Sequence, residues 1–86
     1  MTRLPVTKRI NITYFALLRE QRGQPRETLD TEVNDAAALY QQLQAQHGFT
    51  LPVDRLRVAI NGEFVPWPAP VSSGDQLVFI PPVAGG

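Results

Sequence analysis

The residues with the clearest chemical potential are the last two, Gly85-Gly86, which follow a Pro81-Pro82-Val83 run. At a glycine frequency of about 7%, such a closing pair arises by chance in roughly one chain in two hundred. We expect the Gly86 carboxylate to be the most reactive group of the chain. Glycine has no Cβ, so this end can enter a narrow channel and adopt backbone conformations closed to other residues. That suits a carboxylate handed into another protein's active site. A frayed terminus without a role is the competing reading.

Little else in the composition offers catalysis. There is no cysteine, which removes disulfides, thiolate metal sites and thiol nucleophiles together. His47 is the only histidine and Lys8 the only lysine; one histidine without neighbouring ligands makes no metal site. Eight basic and eight acidic side chains give a formal net charge of zero, so no global field recruits nucleic acid or an anionic membrane. No apolar run reaches the length of a membrane span, and the opening Met1-Thr2-Arg3-Leu4-Pro5 lacks a signal-like stretch. The expectation is a cytoplasmic protein.

An end group that reacts in a partner must be held out by a folded body. At 86 residues that body is one small domain, burying only about 60 to 65% of its unfolded surface. We read residues 1–8 as a mobile polar lead, 9–81 as the domain and 82–86 as an extended tail. Ile10, Ile12 and Tyr14 alternate with Asn11, Thr13 and Phe15, the period of a half-buried strand. Ala16 to Arg22 reads as a turn or short helix closing at Gly23, and Pro25 to Thr31 as a weaker strand. From Ala36 to His47, apolar residues at spacings of three and four predict a helix, with Asp35 capping its start and Gly48 its end. Gln41, Gln42, Gln44 and Gln46 would form its solvated faces, and His47 would be a dipole partner or plain surface.

Arg55 to Ile60 alternates again, Asn61-Gly62 supplies a tight hairpin turn, and Glu63-Phe64-Val65 returns. Pro66, Pro68 and Pro70 interrupt pairing around Trp67. Ser73-Gly74-Asp75 then turns into a last strand, Gln76 to Ile80. Strands bracketing one main helix predict an α+β domain, a mixed sheet with that helix across one face. The inward set is Ile10, Ile12, Tyr14, Leu56, Val58, Ile60, Leu77 and Phe79, under Leu39, Tyr40 and Leu43. Phe15, Phe64, Val78 and Ile80 are left for the opposite face, where together they would form an exposed apolar patch of the kind that marks an interface.

Tyr14-Phe15-Ala16-Leu17-Leu18-Arg19-Glu20, Asn61-Gly62-Glu63, Gly74-Asp75 and Phe79-Ile80-Pro81-Pro82-Val83-Ala84-Gly85-Gly86, in this order and spacing, resemble the small-subunit family of molybdopterin synthase, the MoaD family. The resemblance covers about Arg9 to Gly86, and the closing proline-proline-valine-x-glycine-glycine is its most specific part. Gln76 departs from an acidic residue common in the family, and Trp67 sits in an unusually proline-rich loop. The resemblance implies the ubiquitin-like β-grasp fold and a sulfur carrier that is a sulfur-donating subunit, without catalysis of its own, in a heterotetrameric synthase.

It further implies that Gly86 is adenylated by an ATP-using, E1-like activating enzyme and converted by a sulfur donor to a thiocarboxylate. The tail then enters the large synthase subunit and delivers sulfur to cyclic pyranopterin monophosphate. No cofactor is implied as permanently bound. Pro81 to Gly86, extended, would reach roughly 20 Å. Pro81 and Pro82 would stiffen the tail, Val83 and Ala84 give it apolar grip, Gly85 pass the channel and Gly86 do the chemistry. Carried over by position from the family's contact surface, Phe15, Phe64 and Ile80 would dock the partner. Three alternatives stay open: a thiamine-type or other sulfur carrier of this fold, a ubiquitin-like modifier joined through Gly86, and a non-catalytic β-grasp interaction module with an incidental terminus.

Overall fold

The computed structural model describes residues 7–82. The expected lead over residues 1–6 and the expected tail residues Val83, Ala84, Gly85 and Gly86 lie outside the described residues. Strand β1 (Lys8–Tyr14) buries Ile10, Ile12 and Tyr14, the expected alternate set. It begins inside the stretch expected as lead: Lys8 pairs with Thr31, and its Nζ donates to Val33 O at 3.1 Å.

Helix α1 (Ala16–Arg22) closes at Gly23, whose φ of 88° glycine reaches without a Cβ clash. Strand β2 (Arg26–Thr31) returns antiparallel to β1. Helix α2 (Ala36–His47) has both expected caps: Asp35 Oδ1 accepts from Ala38 N at 2.8 Å, and the Gly48 N–H donates to Gln44 O. After a single 3-10 turn at Val53–Arg55 come β3 (Arg57–Ile60), the Asn61-Gly62 turn with φ of 53° and 88°, and β4 (Glu63–Val65). Strand β5 (Gln76–Ile80) ends the described elements.

The five strands lie in the order β2-β1-β5-β3-β4. β5 runs parallel to β1 and antiparallel to β3, so the strand that leads to the tail sits in the middle of a mixed sheet. α2 covers one face with Ala36, Leu39, Tyr40 and Leu43, all buried against β1, β3 and β5 residues including Ile12, Val58 and Phe79. Each such large side chain contributes about 1.5–3 kcal/mol on leaving water. Two expected core positions differ in detail. Leu56 is buried but caps the 3-10 turn rather than joining β3, and Ile60, beside the hairpin turn, is only half-buried.

The proline-rich loop has a structural task. An α-helix leaves its first N–H groups without intrahelical partners; here Ala36 N donates to Ala69 O at 3.1 Å and Ala37 N to Trp67 O at 3.2 Å. Prolines keep the segment from continuing a ladder, and its carbonyls turn to the helix instead. Trp67 anchors it, stacked on Phe79 at 6.0 Å between centroids, with Nε1 donating to Leu56 O.

The glutamine face of α2 is less solvated than expected. Gln42 Oε1 accepts from Thr31 Oγ1 at 2.8 Å, and Gln44 Nε2 donates to Phe49 O at 3.2 Å. His47 turns inward, its side chain only 18% exposed and its ring 5.6 Å from that of Phe49.

Candidate functional site

Ile80 is the last residue of β5, paired with Arg57 of β3. Pro81 is half-buried and Pro82 exposed. Neither carries an N–H, so the ladder ends and the chain leaves the sheet. β5 is bonded on both sides up to Phe79, which pairs with Tyr14 and Val58, so the strand is held by two neighbours to within one residue of the exit, unlike an edge strand with one open side.

Strand parity decides what surrounds that exit, since alternate side chains point to opposite faces. With Leu77 and Phe79 turned to α2, Val78 and Ile80 face away from it. Registers Thr13↔Val78, Ala59↔Val78 and Ala59↔Phe64 put Phe64 on this same face. Phe15 and Ile80 both follow the Tyr14↔Phe79 pair, so Phe15 continues the same row. The expected docking residues therefore share one face. Phe64 is 56% exposed and Phe15 47%, while Ile80 is half-buried.

Phe64 and Ile80 also line one groove of about 420 Å³ with Leu56, Arg57, Pro81 and Pro82; Asp54 and Arg55 border it too. Phe15 is not among its lining residues. The Arg57 guanidinium lies over the Phe64 ring, 3.9 Å from its centre, a cation–π arrangement. Sequence reasoning missed Arg57 as a site residue, although its alternation with Leu56 and Val58 already placed it opposite the core. It also missed Leu17, exposed on α1 shortly after Phe15.

Two further residue positions shape the site. Ala16 has a φ of 53°, a left-handed conformation costly for a residue with a Cβ. It turns the chain sharply from β1 into α1 directly after Phe15. Elsewhere, Glu27 accepts three hydrogen bonds from two side chains: Tyr14 hydroxyl and Arg22 Nε donate to Oε2, and Arg22 Nη2 donates to Oε1. Burial opposes ionisation of Glu27, but Arg22 and the Tyr14 hydroxyl outweigh it and hold the carboxyl below its ordinary range. Burial, then the hydrogen bond to Glu27, pushes the Tyr14 phenol far above its ordinary value. This cluster ties α1, β1 and β2 together; it offers no free base.

A five-stranded mixed sheet with β5 at its centre, parallel to β1, and a helix across one face defines the ubiquitin-like β-grasp class. Residues 12–86 match the ThiS family. The chain is 36% identical over 81 residues to the molybdopterin synthase sulfur carrier subunit of Haemophilus influenzae, covering 90% of this chain and 99% of that protein. It therefore belongs to the ThiS family and, within it, to the sulfur carrier subunits of molybdopterin synthase, the MoaD family. Among solved structures, small archaeal modifier protein SAMP1 from Haloferax volcanii aligns with a TM-score of 0.74 and 25% identity, over 91% of this chain and 99% of that one. The complex of molybdopterin-converting factor subunits 1 and 2 from Helicobacter pylori contains a chain of the same fold, with a TM-score of 0.62 and 24% identity, covering 91% and 99%. Among the described residues, no helix is long and apolar enough to cross a membrane.

Proposed function

We propose that this chain carries sulfur on its C-terminal glycine and delivers it inside the large subunit of molybdopterin synthase. The observation that carries the reading is the family match, which runs through residue 86 and so includes the diglycine, joined to relatives named as sulfur carrier subunits.

The chemistry follows from what a carboxylate lacks. Its leaving group would be oxide, so the Gly86 carboxylate must first attack the α-phosphorus of ATP in an activating enzyme, releasing pyrophosphate. A donor sulfur then attacks the acyl carbon and AMP departs, leaving a thiocarboxylate. Its sulfur is anionic at neutral pH and nucleophilic. In the large subunit that sulfur displaces an oxygen substituent from a carbon of cyclic pyranopterin monophosphate, the oxygen leaving with its bonding pair, and water then cleaves the acyl–sulfur bond, restoring the Gly86 carboxylate. Two such rounds build a dithiolene. No cysteine is needed, because the sulfur rides on the main chain.

The body supplies aim and grip. Pro81 and Pro82 follow directly on a strand clamped between two neighbours, and proline restricts the conformations lost when the tail is ordered. Val83 and Ala84 grip the channel and Gly85 passes it. Phe15, Phe64 and Ile80 form the docking face, and removing such apolar area from water is worth about 25 cal/mol per Å².

Adding one residue after Gly86 tests this. The extended protein should keep its fold and melting behaviour and lose sulfur transfer. Molybdopterin synthesis by the extended, untrimmed protein would overturn the reading. The likeness to an archaeal modifier protein favours one second reading, conjugation of Gly86 to lysines. It predicts isopeptide-linked products and no thiocarboxylate.

A further inference from the structure

Arg57 is an exposed arginine with an unusual setting. Its guanidinium carbon lies over the Phe64 ring, 3.9 Å from the ring centre, and Phe64 is itself 56% exposed. Among the described residues Arg57 has no ion pair and donates no side-chain hydrogen bond. Arg19 and Arg26 are likewise unpaired among the described residues, but neither rests on an aromatic ring. A guanidinium held by its face keeps its edge N–H groups free, and that edge matches a carboxylate in a two-pronged bond. Stacking also restricts a long side chain in advance, which reduces the ordering cost when a ligand arrives.

The neighbourhood is suited to a mixed contact. Arg57 pairs with Ile80 across β3 and β5, at the point where the tail leaves. The apolar groove formed by Leu56, Phe64, Ile80, Pro81 and Pro82 lies directly beside it. Arg55 borders the same groove, and so does Asp54. Asp54 makes no ion pair with either arginine among the described residues. Two arginines and one aspartate make the groove cationic by one charge, and among the described residues neither arginine has an ion-pair partner.

We infer that the Arg57–Phe64 pair is a receptor for a carboxylate side chain on the protein that receives the tail, the adjoining groove taking an apolar side chain of the same partner. This rests on the sulfur-carrier reading, and it specifies the partner's chemistry: an acidic residue set next to an apolar one at the mouth of the channel. Charge complementarity fixes the orientation of docking, since a carboxylate seated on Arg57 leaves the tail, starting from Ile80 in the neighbouring strand, directed into the partner. An exposed apolar face alone would allow sliding. Pairing to a charged group adds specificity and speeds encounter.

The test is titration calorimetry of the full chain against the purified large synthase subunit of the same organism, at several salt concentrations. Arg57→Gln should weaken binding about tenfold and flatten its salt dependence. Arg26→Gln should match the wild type on both counts. Thermal melts of each variant confirm the fold, since Arg57 is exposed. If Arg57→Gln binds like the wild type, or weakens without a change in salt dependence, the carboxylate receptor is refuted while the sulfur-carrier reading stands. If Arg57→Gln instead only self-associates more, Arg57 merely covers Phe64, and the inference fails. If the wild type does not bind the large subunit at all, the sulfur-carrier reading falls and takes this one with it.

Discussion

Asn61 Nδ2 donates to Asp75 Oδ1 at 3.0 Å, joining the hairpin turn after β3 to the turn that starts β5. The same asparagine accepts from Gln76 N through Oδ1 and donates its own N–H to Gln76 O. Asp75 Oδ2 meanwhile accepts from Ser72 N at 2.7 Å, and Asp75 O accepts from Asn11 N. One aspartate therefore registers three neighbouring strands at the end of the sheet opposite the tail. Both asparagine and glycine suit the positive φ of this turn.

From this follows a stability prediction. Asp75→Ala removes two side-chain acceptors from a turn whose donors then face solvent or go unpaired. A charged acceptor contributes about 1.5–3 kcal/mol, reduced here by exposure, so a loss of about 1–2 kcal/mol is expected. Urea unfolding checks it, and the midpoint should fall without a change in slope. Asp75→Asn should recover part of the loss.

Glu27 predicts a pH dependence. Its carboxyl lies below its ordinary value in the folded chain. The unfolded state thus binds the proton more readily, and the ionised carboxylate stabilises the fold above the unfolded value of about 4.3. That contribution is lost as pH falls through the folded value. Melting temperature should therefore drop as pH is lowered below about 4.3. Glu27→Gln should lower stability by about 1–3 kcal/mol at neutral pH and flatten that acid limb. An unchanged acid limb in the variant would assign the effect to other carboxylates.

Much of this fold was legible because its signals were local. The α2 boundaries followed from apolar spacing and from Asp35 and Gly48, whose capping roles depend only on adjacent residues. The hairpin followed from Asn61-Gly62, and Phe15 with Ile80 from alternation. What was not legible depends on residues far apart in sequence. Trp67 looked like an interruption, and only the approach of the loop to α2 gives its carbonyl a donor. Arg57 became notable through the ring of Phe64 across a strand pair. A helical wheel puts the glutamines in solvent and leaves His47 as a dipole partner or plain surface, because it does not show which neighbours arrive later, here Glu27, Phe49 and Thr31.

Trp67 supplies a third prediction. It stacks on Phe79 and lies 6.0 Å from Tyr40, both fully buried. Trp67→Ala would open a cavity beside them and release the loop from the α2 N-terminus. Large-to-small aromatic changes cost about 3–5 kcal/mol in a core; the half-buried position places the expected loss near the lower end. Amide hydrogen exchange should show faster opening at Ala36 and Ala37, whose acceptors the loop provides. Protection unchanged at those amides would mean that the loop is held by other contacts.

The central claim is that the Gly86 carboxylate becomes a sulfur-bearing group, and intact-mass spectrometry reads this directly. The chain is incubated with its activating enzyme, ATP and a sulfur donor, and weighed. The account predicts a gain equal to the mass of sulfur minus that of oxygen, confined to the C-terminal peptide and absent without ATP. A mass that stays at the unmodified value under these conditions, or a gain located on any other residue, would contradict it.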